Sequence, residues 1–433
     1  MCAPEPCDDV AEMIRDPGRR RPLSRPFLSV IGVLALSALA AVAAPPDRSD
    51  ESDLLAVRVA KAQKLVEKVR GISFRAPVAS ALLPEKELET VLAKKLVQDL
   101  PVPFEAYAGG LAALGLIEPS PGLLDRLTRL YTRQVVGFYD PAEKRFYIVP
   151  ERSRDIAGPA GDLMEQLLLA HELTHALQDQ RLGLDRRMKS LRDSTDSLLA
   201  LQAFLEGEAT VLMTEALVES VPEEAREALG ADPLEQVLDG LDDPDGVDGA
   251  DGVPSYFVRE LVFPYAAGTA WVREKKAAGG WPAVDAAYRR LPTTTREILR
   301  PGVALPSRLR LAPTDRPTPQ MVPGGGSASW ADTLGEWVLG TLLEQAGAGE
   351  ESRDAAAAWQ DDRIVFSSPD AVPGARGVGF LWRIRAATPA GAARIASLLG
   401  PLYATRPAPA RPRISVCGDI VEVVRSAVPP PPA

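Results

Sequence analysis

Histidine occurs only twice in these 433 residues and cysteine three times, at positions 2, 7 and 417. So few cysteines exclude a disulfide framework and any zinc site built on thiolates. Positive charge is also short: 49 Lys and Arg stand against 59 Asp and Glu, a formal net charge of −10. No basic stripe appears beyond the N-terminus, so a surface for nucleic-acid phosphates is excluded. What remains is 46% hydrophobic and 25% charged, the composition of a folded protein with a sizeable core. The length suggests two or three domains.

One long apolar run is present, "FLSVIGVLALSALAAVAA" at 27–44, preceded by Arg19, Arg20, Arg21 and Arg25. It ends in small residues, with Ala41-Val42-Ala43 as an A-x-A cleavage site, the layout of a signal peptide. We therefore read 1–44 as a signal peptide and the protein as exported, periplasmic or extracellular. The alternative is membrane attachment through 27–44 as an uncleaved anchor, for which the run is just long enough. An acidic stretch precedes the arginines, and Met13 offers an alternative start. After cleavage only Cys417 remains.

The pattern beyond this segment predicts an α+β fold, mainly α. Residues 45–130 read as an N-terminal helical region broken at Pro77, Pro84, Pro101 and Pro121. Residues 131–314 form the expected catalytic domain, beginning with a β-hairpin in "RQVVGFYDPAEKRFYIVPE" (133–151) and continuing in helices at about 162–182, 195–220 and 256–277. The acidic stretch 241–252 lacks a calcium loop's ligand spacing, since Val247 stands at the third ligand position. Residues 315–329 read as a Pro/Gly/Ser-rich linker, 330–428 as a small α+β unit and 429–433 as a tail.

Both histidines fall in "LLLAHELTHALQDQ" (167–180). Positions i and i+4 share a helix face, so His171 and His175 can point at one ion, with Glu172 placed to take a proton from water. This is H-E-x-x-H, whose chemistry is zinc-assisted hydrolysis. No Pro or Gly interrupts 162–181. The plain alternative is a pair of histidines packed as core residues. A catalytic Zn2+ takes three protein ligands; with no third histidine in the chain, the last must be a carboxylate.

"LQAFLEGEATVLMTEAL" (201–217) carries Glu206 and Glu208 in an otherwise apolar helix, where a carboxylate is costly unless paired with a cation. Periodicity does not choose between them: Glu208 shares a face with Leu201, Leu205, Val211 and Leu212, and Glu206 with Leu199, Ala203, Ala209 and Met213. Asp179 is a candidate to accept the second ring N–H of a ligand histidine.

On these residues the sequence resembles the gluzincins, zinc peptidases in which H-E-x-x-H is followed by a helical Glu ligand. "FLEGEAT" is similar to the N-E-G-F-A segment of their aminopeptidase branch, which implies Glu206 as the ligand, Glu208 as a partner behind it, and a zincin-like catalytic domain. "AHELTHALQDQ", "EGEAT", "FPYAAG" and "GGWPAVDAAYRRLPTTTREIL" together resemble a bacterial family of presumed exported metallopeptidases, over about 130–300. One departure is Thr210, which stands where classical gluzincins carry an Asp. The resemblance implies peptide-bond hydrolysis on a peptide or protein substrate, with Glu172 as general base and an oxyanion donor, for which Tyr265 is the candidate. The hairpin could offer a strand edge to substrate. A catalytically silent scaffold of the cell envelope and a zinc hydrolase of a non-peptide amide are the competing readings.

Overall fold

The structure is a computed structural model that describes residues 48–427, except 99, 119, 156–158, 222, 224–246, 248–249, 303–307, 325–327, 369–376 and 408–410. The apolar run 27–44, most of the acidic stretch, part of the linker and the tail lie outside the described residues. Among the described residues, no helix is long and apolar enough to cross a membrane.

The chain is α+β and mainly helical. Helix α1 (Arg48–Arg70) leads to β1 (Ala79–Leu82), α2 (Glu85–Gln98), α3 (Phe104–Leu114) and α4 (Leu123–Gln134). Strands β2 (Gly137–Asp140) and β3 (Arg145–Ile148) form the expected hairpin. Its turn is fixed by Asp140 Oδ1, which accepts the Ala142 N–H at 2.9 Å, an Asx turn. The sheet order is β1-β3-β2, with β1 parallel to β3. β1 falls where the sequence reads as helices. Four residues, "ASAL", carry no alternation, and pairing with β3 decides their conformation.

The long elements follow: α5 (Pro150–Asp155), α6 (Pro159–Leu182), α7 (Leu184–Lys189), α8 (Thr195–Ser220), α9 (Ser255–Arg289) and α10 (Thr295–Leu299). Gly279 and Gly280 break α9 (Gly280 φ 64°), where the sequence predicts a Gly-Gly turn. A five-stranded antiparallel sheet, order β4-β5-β6-β8-β7, is built from β4 (Ala328–Asp332), β5 (Trp359–Ser368), β6 (Gly379–Ala386), β7 (Arg413–Cys417) and β8 (Ile420–Arg425). Helices α11 (Gly335–Gln345), α12 (Glu350–Ala356) and α13 (Pro389–Ala404) accompany it. Inside it, the buried Asp362 carboxylate accepts both indole N–H groups of Trp359 and Trp382 and the backbone N–H groups of Leu334 and Gly335, at 2.9–3.0 Å.

Two apolar clusters position the site. One joins α3, α4, α8 and α9 to the five-stranded sheet. The other joins Leu55, Val59, Ala62 and Val66 of α1 to Tyr139, Phe146 and Ile148 of the hairpin and to Leu169, Leu173, Ala176 and Leu177 of α6. With that stripe of α6 committed to the second cluster, His171, His175 and Gln178 face α8. Helix α8 itself is buried nearly all round, as its apolar sequence requires.

Candidate metal centre

Helices α8 and α9 cross at backbone contact. A Cβ on Gly207 would lie 2.2 Å from the Gly268 carbonyl, and one on Gly268 would lie 1.9 Å from Ala203 O. The glycines of "EGEAT" and "FPYAAG" are therefore steric requirements. Their contact sets Glu206 of α8 against Tyr265 of α9.

Three side chains converge. His171 Nε2 lies 3.2 Å from Glu206 Oε2, His175 Nε2 lies 3.3 Å from the same oxygen, and the two Nε2 atoms are 3.3 Å apart. A tetrahedral ion with bonds of about 2.0–2.1 Å spaces its ligand atoms about 3.3–3.4 Å apart. The triangle therefore fits a small divalent cation, and His171, His175 and Glu206 are the residues that could hold it. The electrostatics favour positive charge. Burial works against a charged His175, but Glu206 and Glu172 outweigh it and raise the imidazole to about 10. Burial likewise pushes the Glu206 carboxyl up, but the imidazoles prevail and hold it well below the usual carboxylate range.

Glu208 points elsewhere. Fully buried, it accepts Arg70 Nε at 2.7 Å and Gln178 Nε2 at 2.9 Å, and the Tyr288 hydroxyl also donates to it. Gln178 Oε1 lies 2.9 Å from His175 Nδ1, so the amide accepts the ring N–H and leaves the Nε2 lone pair facing Glu206. A relay thus runs from Arg70 at the end of α1 through Glu208 and Gln178 to His175. Arg70 also donates to Asp285 at 2.7 Å and lies over the Trp281 ring. Asp179 is not a histidine partner: it accepts the Tyr139 hydroxyl at 2.9 Å and the Leu184 N–H at 2.7 Å. His171 Nδ1, buried too, meets no hydrogen-bond partner among the described residues.

Glu172 is buried beside the triad, and its Oε2 accepts the Tyr139 N–H of edge strand β2 at 2.9 Å. Burial raises its pKa, against the opposing pull of both histidines. Tyr139 and Phe146 are core residues, while Phe138 and Tyr147 stack on each other. The Tyr265 ring stacks on His171 with centroids 6.2 Å apart, and burial, chiefly, and then the Glu206 carboxylate push its hydroxyl pKa up. A cavity of about 370 Å³ opens on Glu206 and Tyr265.

Arg70, Gln178 and Tyr288 are absent from the sequence reading of the site. Gln178, three residues after His175, carries a weak local signal, since i+3 and i+4 both face a helical neighbour. Arg70 carries none, because only tertiary packing brings α1 behind α8.

No protein-family model matches the chain, and no curated protein matches it. Among solved structures, the chain is similar to a proposed hydrolase with a novel fold from Chloroflexus aurantiacus. The two share 20% identity, with 60% of this chain and 90% of that chain covered and a TM-score of 0.40. At that score the likeness carries no functional argument, and the site's geometry must stand by itself.

Proposed function

We propose that this protein hydrolyses peptide bonds with a zinc ion held by His171, His175 and Glu206, as its gluzincin-like motifs imply. The observation that carries the reading is the 3.2–3.3 Å triangle of two imidazole nitrogens and one carboxylate oxygen, with a buried glutamate next in sequence to the first ligand. When bound there, the ion would supply Lewis-acid polarisation and activate water. Two histidines and a carboxylate suit zinc among the available metals.

The chain's own groups supply the rest. Glu172 is the general base. Its Oε2 is anchored by the Tyr139 N–H, and its carboxyl, raised by burial, can pass the proton on to a leaving amine. Gln178 fixes the His175 tautomer. Tyr265 is the neutral donor for charge developing on the carbonyl oxygen: burial raises its pKa well above the ordinary phenol range, so the hydroxyl keeps its proton. Strand β2, at the sheet edge beside α6, offers backbone to an extended substrate. The N-terminal segment supports action outside the cytoplasm.

The test is metal analysis together with cleavage of a broad peptide library. Wild type should bind about one zinc and cleave. Glu172→Gln should keep the zinc and lose cleavage by at least about 100-fold. Full activity in a zinc-loaded Glu172→Gln protein would remove the base from the mechanism.

A further inference from the structure

The cavity that Glu206 and Tyr265 line holds a second carboxylate, Glu260, in its wall. Beside Glu206 and Tyr265 it is lined by Tyr107 of α3, Tyr131 of α4, Gln202 of α8 and Glu260 of α9. Tyr107, Thr195, Leu198 and Gln202 also line an adjoining chamber of about 240 Å³, which reaches Asp332.

Among the described residues, no lysine or arginine lines the chamber at Glu206; Arg192 lines only the adjoining one. Glu260 has one short hydrogen bond, accepted from the Tyr256 hydroxyl at 2.8 Å. Arg259, next in sequence, is committed to Glu344 at 2.6 Å. Asp332, whose two oxygens accept from Thr195 N–H and Oγ1, adds negative potential. Burial, chiefly, and then Asp332 push the Glu260 carboxyl up to about 7. Such a carboxylate, walled by tyrosines, favours a cation that enters from solvent. Glu260 precedes Tyr265 by five helical positions, about 7.5 Å along the axis. A long methylene stem spans a rise of that length.

We propose that this chamber is a cation subsite, in which Glu260 receives an ammonium or guanidinium of the substrate peptide while the adjacent amide lies at the triad. The group is a lysine or arginine side chain or a free peptide N-terminus. That the ligand is a peptide rests on the hydrolase reading; the preference for positive charge rests on the chamber.

The experiment measures binding in zinc-loaded Glu172→Gln protein at pH 8, so that no peptide is consumed. The probes are hexapeptides carrying lysine, arginine or norleucine at each position in turn, each with a free or acetylated N-terminus. Peptides carrying a lysine, an arginine or a free N-terminus should bind at least about tenfold tighter than the acetylated norleucine peptide, the neutral probe. Adding Glu260→Gln, which can still accept from Tyr256, should bring that ratio below about threefold with zinc content unchanged. Acetylation separates the sources: tighter binding of the free than of the acetylated norleucine peptide assigns the terminal amine, and a preference for lysine or arginine over norleucine among acetylated peptides assigns the side chain. Equal or absent binding of charged and neutral probes overturns the cation subsite, whatever wild type cleaves. Failure of wild type to cleave any peptide, with the charge preference intact, overturns the hydrolase reading alone.

Discussion

Two glutamates two residues apart on one buried helix should respond in opposite ways to the same isosteric change. In Glu208→Gln, Arg70 loses the partner that meets it at 2.7 Å with both side chains out of solvent, at 0% and 1% exposure. Breaking such a buried pair costs about 3–5 kcal/mol; the remaining contact to Asp285 places the expectation at the lower end. That cost appears with or without metal. In Glu206→Gln, beyond the His175 pairing that the metal-free protein also loses, the loss appears only with metal. At zinc a thousandfold above the wild-type Kd, binding stabilises wild type by about 4 kcal/mol. A ligand change costing at least 100-fold in affinity cuts that gain to about 1.4 kcal/mol or less. Denaturant unfolding with and without zinc, plus a competitive chelator titration, separates the two. A Glu206→Gln protein that binds zinc like wild type would refute the ligand assignment. So would a folded Glu208→Gln protein whose zinc loss is as complete as that of Glu206→Gln.

Gly268→Ala should destabilise the protein by about 3 kcal/mol or more, since its Cβ would sit 1.9 Å from Ala203 O and overpacking costs at least in that range; zinc affinity should fall with it, as Glu206 shifts against Tyr265. Tyr265→Phe should leave zinc binding within about threefold while lowering kcat by about 100-fold, the usual loss of one oxyanion donor, read from steady-state kinetics. The metal-free protein should lose stability as pH rises. His175, raised to about 10, stabilises fully below its ordinary value near 6.5, and this is lost through pH 10, on the order of 5 kcal/mol. Asp196 and Asp332, raised by burial to about 7, bind protons in the folded state that the unfolded chain has released, so stability also falls between about pH 4 and 7. Chelator-treated samples melted from pH 5 to 10 should show that decline. Zinc, which displaces the His175 proton, should flatten its upper part.

How much of this was legible in the sequence depends on where the deciding contacts lie. The helix carrying His171 and His175 and the apolar helix carrying two glutamates are local patterns, and they appear where the 3.6-residue period puts them. The hairpin is equally local, because the Asp140 turn is written in four consecutive residues. Strand β1 was not legible, since "ASAL" becomes a strand only by lying parallel to β3. β4 begins within a stretch that reads as linker and is ordered by pairing with β5. The histidine partner was misread by one position: Asp179 serves Tyr139 and Leu184, and Gln178 serves His175. Both lie within a turn of His175, and the difference is set by which flank of α6 meets α8.

The choice between Glu206 and Glu208 shows why a burial argument alone stops short. Each carboxylate sits in an apolar helix and needs a cation. Glu208 has one within the fold: Arg70, brought by α1 from 138 positions away in sequence, a partner that no pattern in "FLEGEAT" could announce. Among the described residues, Glu206 meets no lysine or arginine; its close neighbours are two imidazole nitrogens and a phenol. A helix that needed only two buried ion pairs could have met both glutamates with arginine, which pairs with a carboxylate in two parallel hydrogen bonds and never loses its charge. Imidazoles are less permanent counter-ions than arginine, since even His175, raised to about 10, gives up its proton far more readily than a guanidinium, but they present a lone pair that arginine lacks. One of them is held by Gln178 in the tautomer that aims this lone pair inward. The asymmetry between a committed arginine on Glu208 and two donor nitrogens on Glu206 is therefore what singles out Glu206 as the carboxylate that could join the two imidazoles in holding a metal ion.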